Sequence, residues 1–265
     1  MEKEVQTDVT KNIENVENIE TQRVETTQLE VVQNDALTIE EIETGLVYNG
    51  SMVRVADISE EFRKVIEPIL RMYNAAMNVT TARIEIIKDE SRYKNVRCPV
   101  HHIDTRLKSA GSILGKLQKK NLDLTIGAAC NNIYDIAGVR IVCPYIKDVY
   151  FIRDRILAQD DIEVMKVKDY IEHPKENGYR SYHMIVEVPV FFSSSKKNIR
   201  VEVQIRTIAM DFWASLDHQL KYKKQLDAQE AAEIGAELKK CADVIAETDC
   251  KMLSIRQKIE EKHPT

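Results

Sequence analysis

Residues 199–206 read IRVEVQIR, and Ile199, Val201, Val203 and Ile205 alternate without exception with Arg200, Glu202, Gln204 and Arg206. Only an extended strand, whose side chains point to opposite faces in turn, converts that period of two into one apolar surface and one polar surface. The chain must therefore build a sheet with one face in a core, and the polar face then meets either solvent or a ligand. The run IAGVRIV at 136–142 adds a second strand, apolar except for Arg140. A charged guanidinium there is costly unless it leaves the core side for a ligand or a partner.

Other segments supply the surroundings of that sheet. Ile103, Thr105 and Leu107 alternate with Asp104, Arg106 and Lys108, and strand patterns recur at 162–168 and 182–191, the latter joined to 199–206 by the polar turn SSSKKN. Helices are expected at 109–120 and at 147–157, where Val149, Ile152 and Ile156 face inward. A long helix is expected from Asp57, with Asp57 and Glu60 as a capping box, Pro68 as a kink, and Phe62, Val65, Ile66, Ile69, Leu70, Tyr73, Ala76 and Met77 on one face. Strands alternate with helices, which predicts an α/β (α+β) domain: a mixed β-sheet flanked by helices.

Charge divides the chain. Residues 1–45 carry 12 acidic and 3 basic side chains, so the net charge of -5 hides a mildly basic body suited to anionic ligands such as phosphates. With no aromatic before Tyr48, residues 1–50 read as a disordered acidic tail, and 51–224 as the folded domain. Residues 225–265 read as a helical segment. Ile234, Leu238, Cys241, Ile245, Thr248, Met252, Ile255 and Ile259 there follow alternating steps of four and three, the seam of a coiled coil or of a helix packed on its own domain. The five cysteines form no C-x-x-C pair, and buried free thiols are expected. No run approaches the ~18 apolar residues of a membrane span and the N-terminus is not that of a signal peptide, so a cytoplasmic protein with no membrane association is expected.

Chemistry concentrates on the polar face. Asp135 directly precedes the 136–142 strand, and Asp135 with Glu202 makes an acidic pair suited to Mg²⁺ bound through one or two carboxylates plus substrate phosphates. Cations come from RLKSAGSILGK: Arg106 and Lys108 leave a strand on one face, and Ser112 and Lys116 lie four apart on the next helix, whose N-terminal amides favour phosphate. GSILGKL is one residue short of a Walker loop and lacks the Ser/Thr after Lys116, which excludes a P-loop NTPase.

RLKSAGSILGKL, YDIAGVRIV, ENGYRSYH and VEVQIRT followed by MDFWASLDH stand in an order and spacing that resemble the RelA/SpoT-type synthetase domain, most of all the single-domain small alarmone synthetases of the RelQ kind. The resemblance spans roughly residues 60–225. It implies a nucleotidyltransferase-like synthetase fold with C-terminal helices that transfers the β,γ-pyrophosphate of ATP to the 3′-hydroxyl of GDP or GTP, giving (p)ppGpp. Arg106 and Arg140 would sandwich adenine, and Lys108, Ser112 and Lys116 would hold the ATP phosphates. Asp135 would bind Mg²⁺, and Glu202 would assist the metal and act as general base. Tyr179 would stack on guanine, with Lys175, Asn177, His183 and Gln204 completing the acceptor site, Asp211 standing where the family often has Asn, and His218 on the following helix. Trp213 reads as core.

The resemblance also implies a homotetramer through the terminal helices, and it raises single-stranded RNA and the product as regulators. The chain has no His-Asp dipeptide and little sequence ahead of the synthetase motifs, so synthesis without hydrolysis is expected. Two alternatives stay open: a toxic relative that pyrophosphorylates tRNA 3′ ends or adenosine nucleotides, and a catalytically silent nucleotide- or RNA-binding regulator.

Overall fold

The computed structural model describes residues 45–48, 51–54, 60–94, 96–221 and 228–263. Most of the expected acidic tail and Asp57 of the expected capping box lie outside them. Strands β1 (Gly45–Tyr48) and β2 (Ser51–Arg54) pair antiparallel, Tyr48 opposite Ser51. The expected tail boundary at residue 50 falls between these two strands.

Helix α1 (Glu60–Tyr93) runs through Pro68 without interruption. It is followed by β3 (His102–Leu107), α2 (Ala110–Lys119), α3 (Ile126–Asn132), β4 (Ala137–Cys143) and α4 (Ile146–Leu157). Then come β5 (Glu163–Asp169), β6 (Tyr182–Phe191), β7 (Lys196–Thr207), α5 (Ile208–Lys221) and α6 (Ala228–Lys262). Five strands form one mixed sheet in the order β3-β4-β7-β6-β5, parallel between β4 and β7 and antiparallel elsewhere.

The apolar residues of the alternating strands build the core. Val139 and Ile141 on β4, Val201, Val203 and Ile205 on β7, and Met184, Val186 and Val188 on β6 are all buried, together with Ile66, Tyr73, Ala76, Met77 and Ile84 of α1 and Val149, Ile152 and Ile156 of α4. Burying a side chain of this size contributes about 1.5–3 kcal/mol, and the set fixes which face of the sheet is left for polar groups.

Two local differences from the expected pattern have physical causes. β7 starts at Lys196, because Lys196 pairs with Phe191 and Asn198 with Pro189; a polar composition marks an exposed hairpin end as readily as a turn. Helix α3 was not expected, since seven residues give no periodicity; it starts where Thr125 Oγ1 accepts a hydrogen bond from the Ala128 amide at 3.1 Å.

The expected seam on α6 splits. Ile234, Leu238 and Ile245 are half-buried, whereas Cys241, Thr248, Met252, Ile255 and Ile259 are exposed. The side α6 turns to its own domain is instead marked by Ala242 and Asp249, both buried. Thr207 Oγ1 donates to Asp249 at 2.6 Å, Trp213 Nε1 donates to the Leu238 carbonyl at 2.9 Å, and Arg256 sits over the Tyr145 ring at 4.8 Å. Burial pushes the Asp249 carboxyl above the usual aspartate value, and the Thr207 hydroxyl partly offsets this. Trp213 is buried, as expected of a core residue.

Ile141 is fully buried and Phe191 is 75% exposed, so their truncations separate core from surface. Ile141→Ala is expected to lower unfolding stability by about 2–5 kcal/mol, and Phe191→Ala by less than about 0.5 kcal/mol, measured by urea denaturation.

Candidate active site

The registers of the sheet align its polar residues into rows. Asp104 pairs with Arg140, Arg140 with Gln204, Gln204 with His183 and His183 with Lys168. In the adjoining row Arg106 pairs with Gly138, Gly138 with Glu202, Glu202 with Ile185 and Ile185 with Lys166. Directly paired residues share a face, so one side of the sheet carries arginines at the β3–β4 edge, a carboxylate on central β7, and lysines on β5.

A cavity of about 260 Å³ opens on this face, lined among others by Lys116, Asp135, Lys166, Lys168, Lys175, His183 and Glu202. That is at the small end of ligand pockets, so a large polar ligand would lie partly in the open. Asp135 stands at one wall, just before β4. Lys116 on α2 donates to both of its oxygens at 2.8 Å, and Lys108 lies 3.3 Å from Oδ2. Burial pushes the Asp135 carboxyl up, but the Lys116 hydrogen bond and the charges of Lys108 and Lys116 outweigh it, and the group lies below the usual aspartate value. Ser112 sits in the first turn of α2, capped by Ser109 Oγ, which accepts from the Ser112 amide at 3.2 Å.

Glu202 is held by a closed ring of side chains. Its Oε1 faces His183 Nδ1 at 3.4 Å and its Oε2 accepts from Gln204 Nε2 at 3.0 Å. Arg206 Nη2 donates to Gln204 Oε1 at 2.7 Å and to the Tyr179 hydroxyl at 3.1 Å, and that hydroxyl meets His183 Nε2 at 2.9 Å. Arg206 can only donate, so the Tyr179 oxygen accepts from it; the charge and tautomer of His183, whose Nδ1 faces Glu202, set which of Nε2 and the Tyr179 hydroxyl donates to the other. Burial pushes the Glu202 carboxyl up, and nearby Asp135 adds to that. The His183 hydrogen bond and charge and the Gln204 amide more than offset both, leaving Glu202 below the usual glutamate value. Both carboxylates are therefore ionised at neutral pH.

The remaining expected residues fall in distinct places. Arg140 is 3.6 Å from Asp211 and 3.9 Å from Asp104, and Asp211 is also 3.3 Å from buried Arg206. Asp211 is thus the counter-ion of two arginines. Arg106 is exposed on β3, diagonal to Arg140. Lys175 Nζ lies 4.7 Å from the Tyr170 ring centre and 4.8 Å from that of Tyr179. Asn177 shapes the loop itself, its Oδ1 accepting from the Tyr179 amide at 3.2 Å. The side chain of His218 lies outside the described residues.

Sequence reasoning missed Lys166, Lys168 and Tyr170, and placed Arg206 on the polar face without a role. Lys166 and Lys168 already alternate in EVMKVKD, but only their pairing with Ile185 and His183 shows that they face the cavity. Among the described residues no group of three or more His, Cys, Asp or Glu side chains is arranged to hold a metal ion. Two ionised carboxylates beside lysines instead suit a hard cation that completes its shell with water and phosphate oxygens.

The ring gives a titration test. Removing a donor that favours the charged form raises a carboxyl's pKa, so His183→Ala is expected to move the Glu202 titration, followed by carboxyl-carbon NMR, to higher pH than in the parent. An unmoved titration would contradict the His183 contact.

Residues 105–227 match the family described as a region found in RelA / SpoT proteins. The GTP pyrophosphokinase YwaC of Bacillus subtilis is 39% identical over 191 residues, 72% of this chain and 90% of the relative. The fold matches that of the small alarmone synthetase 1 of Bacillus subtilis bound to its product pppGpp, with a TM-score of 0.67 and 31% identity, over 74% of this chain and 99% of that one. The structure of the same synthetase bound to AMPCPP matches with a TM-score of 0.61 and 28% identity, over 75% of this chain and 99% of the other. With so similar a relative matched along nine-tenths of its length, and with the same mixed sheet in solved structures, the chain belongs to the RelA/SpoT family, within its small alarmone synthetases.

Proposed function

We propose that the chain is a GTP pyrophosphokinase, transferring the β,γ-pyrophosphate of ATP to the 3′-hydroxyl of GDP or GTP to form (p)ppGpp, and acting in synthesis without hydrolysis. One observation carries the reading: Asp135 and Glu202, both kept ionised, face one cavity with lysines on either side. Lys108 and Lys116 stand with Asp135 on the donor side, where they would pass from that carboxylate to the ATP phosphates, with Ser112 at the helix N-terminus beside them. Arg106 and Arg140, diagonal neighbours on one face, would clasp adenine between guanidinium planes. Tyr179 would stack on guanine, with Lys175, Lys166 and Lys168 near the acceptor's phosphates, and His183 and Gln204 holding Glu202.

Asp135 and Glu202 would hold Mg²⁺, whose charge would screen the polyphosphate. Glu202 takes the proton of the 3′-hydroxyl as that oxygen bonds to the β-phosphorus. The bond from the β-phosphorus to the α,β-bridging oxygen breaks, and AMP leaves with that oxygen. Because such transfers require little covalent chemistry from the protein, alignment and charge neutralisation provide most of the acceleration. One relative with the same fold has structures bound to pppGpp and to AMPCPP, which supports both halves of the assignment. Cytoplasmic location is part of the reading, in keeping with the lack of any described helix long and apolar enough to cross a membrane. A homotetramer through the C-terminal helices is also part of it, supported by the exposed Val244, Met252, Ile255 and Ile259 of α6.

Labelled ATP incubated with GDP, GTP, AMP or tRNA tests the reaction. Label is expected on the guanosine nucleotides; label on tRNA with no guanosine product would overturn the assignment. Glu202→Gln is expected to lower turnover by about 10²–10⁴-fold while nucleotide binding, measured by calorimetry, survives.

A further inference from the structure

The loop that presents Tyr179 rests directly on α6. Gly178 has φ +87°, the left-handed conformation that favours glycine, and a Cβ there would lie 2.5 Å from the Ala242 Cβ and 3.4 Å from the Lys239 Cα. Loop backbone and helix surface therefore touch with no room for a side chain. Arg180 turns back to make the second contact. Its Nη1 donates to the Gly178 carbonyl at 3.2 Å and to the Ala242 carbonyl at 3.4 Å, and its Nη2 lies 3.1 Å from Asp243 Oδ1. One guanidinium thus ties the loop's own turn to a carbonyl and a carboxylate of the helix.

The helix is itself fixed on both sides of this contact. Trp213 holds the Leu238 carbonyl before it, and Thr207, the last residue of the strand that carries Glu202, holds Asp249 after it. Within the loop, the Gly178 amide donates to the Lys175 carbonyl at 2.8 Å and the Lys175 amide to the Tyr179 carbonyl at 3.2 Å. A short loop with glycine at its turn has many conformations open to it, and ordering it at the moment of binding would weaken affinity. A loop already seated on a rigid helix avoids that cost.

We propose that α6 forms the back wall of the acceptor site, and that Arg180 and Asp243 are positioning residues that hold Tyr179 ready for the guanosine nucleotide. The proposal deepens the acceptor assignment made above and rests on it. Lys108 and Lys116 are held by Asp135 on the donor side of the cavity, so the brace acts on one substrate and not on the other.

Steady-state kinetics with ATP and GDP, together with hydrogen exchange at the Gly178 and Tyr179 amides, test this on Arg180→Ala, Arg180→Lys and Asp243→Ala in the full chain. Arg180→Ala is expected to raise the KM for GDP about tenfold, the loss of a charged hydrogen-bond donor, with the KM for ATP unchanged and exchange at both amides faster. Arg180→Lys, which keeps a cation, recovers part of the loss. Asp243 is more than half exposed, so Asp243→Ala leaves the fold intact, and an increase of about two- to fivefold in the KM for GDP is expected. Equal rises in both KM values, or an unchanged KM for GDP with unchanged exchange, would overturn the proposal. A parent enzyme that transfers to no guanosine nucleotide would sink the acceptor reading separately; exchange alone then decides the brace, faster in Asp243→Ala if it holds and unchanged if it does not.

Discussion

The parallel pairing of β4 with β7 is the constraint on which the rest of the molecule depends. It sets Gly138 beside Glu202 and Arg140 beside Gln204. A slip of one residue would turn the polar side chains of one strand, Glu202 on β7 or Arg140 on β4, into the core and that strand's apolar residues into the cavity. What forbids the slip is the other face: Val139, Ile141, Val203 and Ile205 are almost completely buried beneath α1 and α4. The apolar half of each strand thus fixes the position of the polar half, and the register of the core is also the register of the site.

Given that register, the electrostatics follow from the company each carboxylate keeps. Burial alone would push Asp135 and Glu202 toward their neutral forms, and Asp135 further disfavours the charge of Glu202. Lysines counter this at Asp135, and His183 and Gln204, themselves held by Tyr179 and Arg206, counter it at Glu202. The site is organised before any ligand arrives, which is the condition under which fixed charges and dipoles assist a reaction most. Arg206 joins the two halves of the design. It supports Glu202 through Gln204 and Tyr179 directly, and it shares Asp211 with Arg140. Asp211 therefore compensates two buried or half-buried cations.

Much of this was legible in the sequence, for identifiable reasons. The alternation in IRVEVQIR fixed both the strand and its polar face, because period two has only one structural meaning. The acidic pair and the donor lysines could be named because each stands next to a clear strand or helix start. Lys166 and Lys168 were not named, since a lysine in an exposed edge strand reads as solvated until its partner strand is known. The inward side of α6 was also out of reach. It is marked by an alanine and an aspartate, neither of which looks like core in a pattern of apolar residues. Ala242 is buried because Gly178 approaches it, and Asp249 because Thr207 caps it. Those are contacts between distant parts of the chain, which no local period encodes. Asn177 also holds the amide of Tyr179 through its Oδ1, a part in the turn that the sequence did not single out, since an Asn before Gly-Tyr serves a turn as well as a ligand.

The account stands or falls on whether Asp135 and Glu202 serve one cation. The most direct measurement is anomalous diffraction from Mn²⁺ in crystals grown with a non-hydrolysable ATP analogue. A single ion coordinated by oxygens of both Asp135 and Glu202 and by the analogue's phosphates is the predicted result. An ion bound to the phosphates with either carboxylate out of coordinating reach, or lying away from the cavity altogether, would contradict it.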